Sequence, residues 1–295
     1  MSYLRHVEAC NAFDPDAFLP FVLGSRRVGF IRRDKAGILA LLPRSFAVDS
    51  RAVWLAETLD TAAKRTAALG EAAQFLAAKG AIGGIRGEAF AVTEFWQGPL
   101  LFELDRGAVP FFGTRSYGVH LNGFRRDGDE TLMWVGKRAP DKKIAPNRLD
   151  NLVAGGISSG YDAQETLVKE AGEEAGMSEA LARRAWPVGA MMYRMQLADG
   201  MRDDVLFSYD IELPADFVPR NTDGEIADFR LMNFADCLRL VREGDEFKFN
   251  VNLVLIDFAL RHGAIVPEHP HYLALLTGLR GGLIREAGAG AHSGG

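Results

Sequence analysis

Between Gly155 and Met177 the chain reads G G I S S G Y D A Q E T L V K E A G E E A G M, and no other stretch restricts so narrowly what the rest can be. Glu170, Glu173 and Glu174 stand at positions i, i+3 and i+4, so a helix here carries three carboxylates on one face. A glycine-rich loop comes immediately before, Lys169 sits beside the first acid, and Gly176 stands where a helix would stop. Like charges one turn apart on a solvated helix cost only about 0.2 to 0.5 kcal/mol. In a drier cleft, two carboxylates about 6 Å apart repel by roughly 3 kcal/mol at an effective dielectric of about 20. Charge alone therefore leaves two readings open: an acidic face turned to water, or a cluster gathered for a cation.

The order of these residues resembles the Nudix box, G x5 E x7 R E U x E E x G U, where U is aliphatic. Gly155 takes the first glycine, Lys169 the arginine, Glu170 the next acid and Ala171 the aliphatic position. Glu173 and Glu174 take the acid pair, Gly176 the second glycine and Met177 the last apolar place. Two positions depart from the pattern. Lys169 keeps the charge of arginine but loses its planar fork. Tyr161 stands where the first glutamate is expected, with Asp162 and Glu165 the nearest acids; Glu165, four residues before Lys169, is in the favourable order for a helical ion pair and is expected to orient that lysine.

The resemblance extends beyond the box. Y G V H L N G F, L D N L V A G G I S S G, T D G E I A D F and V L I D F A L R H G, spread between Tyr117 and Gly263, are similar to the Nudix subgroup related to thiamine pyrophosphokinase. Members of that subgroup carry an N-terminal domain of unassigned role ahead of the Nudix domain. The resemblance implies an α/β protein: a Nudix-type α/β/α sandwich with a mixed sheet, preceded by a smaller α+β domain. The expected limits are 1–112 for the N-terminal domain, 113–275 for the Nudix domain and 276–295 for a flexible tail. It also implies hydrolysis of thiamine diphosphate, or of oxy- and oxo-thiamine diphosphate, to the monophosphate; kinase activity is not expected.

Diphosphate chemistry then assigns roles. Several adjacent negative charges need a hard cation to neutralise them and a positioned water to attack phosphorus. Magnesium, or manganese, fits Glu170, Glu173 and Glu174 as carboxylate ligands, with the Gly155 carbonyl as a further oxygen. Gly155 and Gly156 let the loop approach the phosphates, and Lys169 holds a carboxylate or a phosphate. The general base is Glu225, in the T D G E turn, or else a box glutamate. The basic, proline-bounded segment from Lys137 to Arg148 reads either as a solvated connection or as a lip over the polyphosphate, with Lys142 and Lys143 as its contacts.

Composition narrows the partners. A chain of 295 residues, 48% hydrophobic and 25% charged, is long enough for about two globular domains. A net charge of -5 gives no electrostatic reason to expect nucleic acid or an anionic membrane surface. No apolar run approaches a membrane span, and M S Y L R H V E A C lacks the regions of a signal peptide, so the expected location is cytoplasmic. Cys10 and Cys237 are too few for a disulfide framework and are expected to be small buried thiols. The expected partner is a small-molecule diphosphate; a homodimer is compatible with the sequence.

Elsewhere the pattern is structural. A helical turn followed by an extended piece is expected over Asp14–Leu23, and two strands with a turn near Asp34–Gly37 over Val28–Leu42. A helix capped by Asp60 carries Ala62, Thr66, Leu69, Ala73 and Leu76 on one stripe and stops at Gly80. A hairpin turns at D G D E, Asp127–Glu130; further strands cover Pro187–Leu197, Val205–Leu213 and Phe229–Met232, and helices start at Asn233 and Asn250. His262, His269 and His271 read as helix-end and surface residues and not as zinc ligands. Ser158 and Ser159 lack a nucleophile elbow. Trp54, Trp96, Trp134 and Trp186 read as core or interface anchors, and Arg26 and Arg27 as a solvated edge. Two rival functions share the fold or its binding surface: cleavage of nucleoside diphosphate derivatives such as ADP-ribose, or isomerase chemistry on isopentenyl diphosphate. A third is metabolite sensing without catalysis.

Overall fold

The computed structural model describes residues 2–281. Helix α1 (Leu4–Cys10) and a 3-10 turn over Pro15–Ala17 lead into strands β1 (Phe18–Leu23) and β2 (Arg26–Arg32), which pair antiparallel. The second strand expected before Leu42 is instead a 3-10 helix, Ala36–Leu41. Ala36 and Leu39, three residues apart, both turn into the core while Leu41 is exposed; a threefold backbone achieves this and an alternating strand does not. Strands β3 (Phe46–Val48) and β4 (Val53–Leu55) complete a sheet in the order β2-β1-β4-β3.

Helix α2 (Ala62–Ala78) buries Leu69, Ala73 and Leu76 as its spacing predicts, together with Ala68 and Ala72. Its cap is Thr61, whose hydroxyl accepts from the Lys64 N–H; Asp60, the expected cap, pairs with the Lys64 ammonium at 2.9 Å. Strands β5 (Ala89–Thr93) and β6 (Leu100–Asp105) form a hairpin, and α3 (Val109–Phe112) closes the N-terminal part. The core of this part joins Phe21, Ile31, Leu69, Leu76, Phe102 and Phe112.

The second part is built on β7 (Arg115–Asp127) and β8 (Glu130–Arg138), paired through the expected turn from Phe124↔Met133 to Asp127↔Glu130. Then follow β9 (Leu149–Asp150), β10 (Val153–Gly156), α4 (Ala163–Ala175), α5 (Glu179–Ala182), β11 (Trp186–Gln196), β12 (Met201–Glu212) and β13 (Ile226–Asn233). Helices α6 (Phe234–Glu243), α7 (Val251–Arg261) and α8 (Tyr272–Leu279) finish the described chain. The main sheet runs β11-β12-β7-β8-β13, with β12 parallel to β7 and the other pairs antiparallel.

Along one edge β7 has two partners in turn: its C-terminal half pairs with β8, while Gly118–Leu121 pair with β10. Strands β8 and β10 therefore diverge, and the opening between them is where a site can form. Val119 and Leu121 face α4, packing with Leu167, Ala171 and Ala175. The other side of the sheet carries α6, α7 and α8 over Phe124, Met133, Tyr193 and Leu206. This is the mixed α/β/α sandwich that was expected, preceded by a smaller α+β unit.

At two places the packing crosses the expected limits. Tyr3, Val7 and Cys10 of α1 are part of the second core, with Leu255, Phe258 and Leu275. The tail expected from 276 begins inside α8, whose Leu279 is 1% exposed; the R E A G A G A H S G G segment lies outside the described residues. Cys10 and Cys237 are both buried and unpaired. Trp96 bridges the two units, its ring 4.5 Å from Tyr117 and 4.7 Å from Phe207, whereas Trp186 stands largely exposed at the sheet edge with its ring edge-on to buried Phe124 at 6.3 Å. Arg26 pairs with Glu94 at 2.7 Å. Among the described residues no helix is long and apolar enough to cross a membrane.

Candidate active site

Helix α4 opens with a capping box: the Asp162 carboxylate accepts from the Glu165 N–H at 2.7 Å, and Glu165 accepts from the Asp162 N–H at 3.0 Å. Glu165 is thereby occupied and does not orient Lys169. The Lys169 ammonium donates instead to Glu173 at 2.6 Å and to Glu170 at 3.2 Å. Burial alone would depress this ammonium, but the bonds to Glu173 and Glu170 hold it above the ordinary lysine range. Tyr161, in place of the missing glutamate, points outward and is half exposed.

The other end of α4 positions the T D G E turn. Gly176 takes φ 61°, and the Arg220 and Thr222 N–H groups donate to the carbonyls of Ala175 and Glu173 at 2.9 and 3.1 Å. These bonds satisfy orphan carbonyls of the last turn and tie the 220–225 loop to the acidic helix. Glu225 consequently lies within the electrostatic reach of Glu170 and Glu174, where it forms an ion pair with Lys142.

Glu174 is 4% exposed and accepts from the Ala154 N–H of β10 at 2.8 Å. Burial, only partly offset by that bond and reinforced by Asp150, Glu170 and Glu225, pushes its carboxyl well above the usual range. Burial also raises Glu170, against the attraction of Lys169. These two acids are held close together with their charge incompletely balanced.

Adjacent glycines let both faces of β10 be approached. A Cβ on Gly155 would lie 2.4 Å from Glu170 Cγ, and one on Gly156 would lie 2.7 Å from Phe90 Cζ. Glu170 belongs to α4 and Phe90 to β5, so the edge strand is gripped between the acidic helix and the N-terminal hairpin. The loop after it is tied to the same hairpin. Ser158 Oγ donates to Glu88 at 2.7 Å, the Ser159 N–H donates to the Ala89 carbonyl at 2.7 Å, and Ser159 Oγ donates to Glu103. The serines serve as tethers.

A cavity of about 720 Å³ opens beside this strand. Gly155, Gly156, Lys142, Lys143 and Glu225, all singled out from the sequence, line it together. Glu170 and Glu174 sit behind β10 rather than in the lining, and Glu173 and Lys169 lie further toward solvent. The N-terminal unit contributes Arg86, Phe90 and Arg106 to the wall, and the far side adds His120, Arg138 and Lys248. Arg138 and Lys248 meet buried Asp150 at 2.7 and 3.4 Å. Although burial raises Asp150, Lys248 and Arg138 hold it below the carboxylate range; burial lowers Lys248. Sequence reasoning missed these residues. Phe90 and Arg106 reach the site only through the packing of one unit on the other, which leaves no local spacing to detect.

The donor set suits a hard divalent ion in kind: carboxylate oxygens, and a backbone carbonyl at Gly155. The under-balanced charge of Glu170 and Glu174 is what such an ion would relieve. As the side chains stand, no group of three His, Cys, Asp or Glu residues among those described converges to hold one. Lys169 is the cation engaging Glu170 and Glu173, so loading a divalent ion requires it to give way.

Comparison with known proteins divides the chain near residue 116. A family profile described as "NUDIX domain" matches residues 117–251, and one described as "Domain of unknown function (DUF4743)" matches residues 2–116. The Arabidopsis thaliana protein named "Nudix hydrolase 24, chloroplastic" is 41% identical over 285 residues, 95% of this chain and 78% of that protein. "Nudix hydrolase 20, chloroplastic", from the same plant, is 41% identical over 290 residues, 94% of this chain and 77% of that protein. Among solved structures, DR0079 from Deinococcus radiodurans aligns over 98% of its length and 57% of this chain, at 19% identity and a TM-score of 0.46.

Proposed function

The chain belongs to the Nudix hydrolase family and is a pyrophosphohydrolase of that type; from this premise we propose that it hydrolyses thiamine diphosphate, or oxidised analogues of it, to the monophosphate. The observation that carries the reading is the cluster of Glu170, Glu174 and Glu225 around β10, next to a cavity edged by Lys142 and Lys143. The cavity's size falls in the range of about 300 to 1,000 Å³ that takes a small organic ligand. The succession of motifs from Tyr117 to Gly263 supports the choice of thiamine compounds within that range.

Water attacks phosphorus, the bond from phosphorus to the bridging oxygen breaks, and the products are the organic monophosphate and inorganic phosphate. Glu170, Glu173 and Glu174, with the Gly155 carbonyl, would hold Mg2+ or Mn2+, which supplies neutralisation of the phosphoryl charge when bound. Lys143 has no ion-pair partner among the described residues and is free to meet the outer phosphate. Lys142 meets it once Glu225 releases the ammonium. Glu225 then accepts the proton of the attacking water. Gly156, lacking a side chain, leaves room for the Phe90 ring against the strand, and its backbone lines the cavity that would take the diphosphate. The N-terminal unit takes part by walling the cavity and by tethering the loop through Glu88 and Glu103.

The test is phosphate release from a panel of thiamine diphosphate, its oxidised analogues, ADP-ribose and common nucleotides, with and without magnesium, for the wild type and Glu174→Gln. Glu174→Gln keeps an acceptor for Ala154 but removes the charge, and is expected to lower turnover by hundreds-fold, about 3 to 4 kcal/mol of barrier. Turnover confined to the nucleotides would overturn the thiamine assignment and keep the hydrolase. Silence across the panel with binding retained would favour a sensor.

A further inference from the structure

A chain of buried polar groups runs from the cavity along one face of the sheet to the C-terminal end of α7. Asp210 is fully buried and ionised, held below the carboxylate range by His262, Arg261 and Asn122 against the effect of burial. A carboxylate can only accept, so Asn122 turns its Nδ2 toward it, at 2.9 Å. That leaves Asn122 Oδ1 to accept from Asn151 Nδ2 at 2.9 Å. Asn151 is then obliged to present Oδ1 to His120 Nδ1, also at 2.9 Å. Each amide is oriented by the one behind it, and the last acceptor compels His120 to carry its proton on Nδ1.

His120 is itself 3% exposed, and burial next to Lys248 keeps its ring neutral. In a neutral imidazole protonated at Nδ1, Nε2 is a bare acceptor. His120 lines the cavity, and Nε2 has no hydrogen-bond partner among the described residues. The strand opposite is Ala154, its register partner on β10, one residue from Gly155.

We propose that His120 is a specificity-determining residue: its Nε2 accepts a hydrogen bond from an amino, ring N–H or hydroxyl group on the organic part of the diphosphate substrate, and Asp210, Asn122 and Asn151 are positioning residues that fix the tautomer. The assignment rests on the hydrolase reading above. It selects, within organic diphosphates, those whose organic group donates. A substrate with a hydrocarbon group leaves Nε2 buried and unpaired, and that penalty is the basis of the selection.

Two measurements on the full chain test it. Long-range nitrogen–proton correlation spectra of the 15N-labelled protein report which ring nitrogen of His120 is protonated, with His120→Gln supplying the signal assignment; Nδ1–H is expected, and an Nε2–H tautomer overturns the proposal whatever the activity. Steady-state kinetics then compare thiamine diphosphate, which carries an amino group, with a diphosphate of a plain hydrocarbon alcohol. His120→Leu is expected to lower kcat/KM for the first by about tenfold or more and to leave the second within threefold; His120→Gln, which restores an acceptor, should recover part of the loss. Equal losses on both substrates overturn the proposal. An active wild type that prefers the hydrocarbon diphosphate overturns it while sparing the hydrolase reading, whereas a wild type silent on every diphosphate sinks that reading and the ligand assigned here with it.

Discussion

Adding one methyl group at Gly155 isolates the contact on which the acidic site depends. The backbone there is not left-handed, so alanine is tolerated by the chain itself, but its Cβ would stand 2.4 Å from Glu170 Cγ, 2.5 Å from Cδ and 3.0 Å from Oε1. Carbon atoms rest at about 3.5 to 4.0 Å, so Glu170 must retreat by roughly 1 Å, carrying its carboxylate away from Glu174 and Lys169. A displacement of that size at a catalytic group costs about a hundredfold in rate, or about 2.7 kcal/mol of barrier. Stability should change far less. The crowding penalty of about 1 to 3 kcal/mol is partly offset by about 0.4 to 1 kcal/mol from the stiffer unfolded chain, which leaves a melting shift of a few degrees. The assay is phosphate release under saturating magnesium beside a thermal melt, for Gly155→Ala, Glu170→Gln and the double variant. Because both changes act on one carboxylate, the double variant should be scarcely slower than the worse single one. Full additivity of the two losses, or Gly155→Ala activity within threefold of the wild type, would refute the reasoning.

Other expectations concern parts of the molecule away from the acids. Arg261 donates to Asp210 at 2.6 and 3.0 Å, and Asp210 has its carboxyl held below its ordinary value, so its stabilising contribution is fully present above that value and is lost as pH falls through the lowered one. Arg261→Met should destabilise the protein by about 3 to 5 kcal/mol at neutral pH, since it strands a buried charge, and the gap from the wild type should narrow in denaturant titrations below about pH 4; parallel curves across that range would refute the linkage. The thiols of Cys10 and Cys237 are both pushed up to about 12 by burial, so neither should react with a disulfide reagent at neutral pH until denaturant is added. Rapid labelling of the native protein would contradict the packing described.

Local spacing carried most of what was legible beforehand. Three acids at helical intervals and a stop at Gly176 defined α4 and its charged face, and D G D E identified the hairpin between β7 and β8, because these signals act over one or two turns of chain. The capping box was written in the sequence as Asp162 and Glu165, yet Glu165 has two partners at helical distance and only the backbone geometry decides that Asp162 wins over Lys169. What could not be read were contacts made across long separations. Glu88 finds Ser158 seventy residues away, and His120 finds Asn151 through a register between β7 and β10 that no pattern in either strand encodes. The strand expected near Leu42 failed for a different reason: a short apolar run fits two periods, and the core chose the tighter one.

The placement of α1 bears on how the chain is made. A ribosome delivers this helix well before the surfaces that shelter Tyr3, Val7 and Cys10, which belong to α7 and α8. Ser2 meets His271, 269 residues downstream. At synthesis speeds of about 5 to 20 residues per second, that partner arrives roughly 15 to 50 s later. Until that partner emerges, Tyr3, Val7 and Cys10 cannot take the burial they have in the folded chain, so the docking of α1 follows the synthesis of α8.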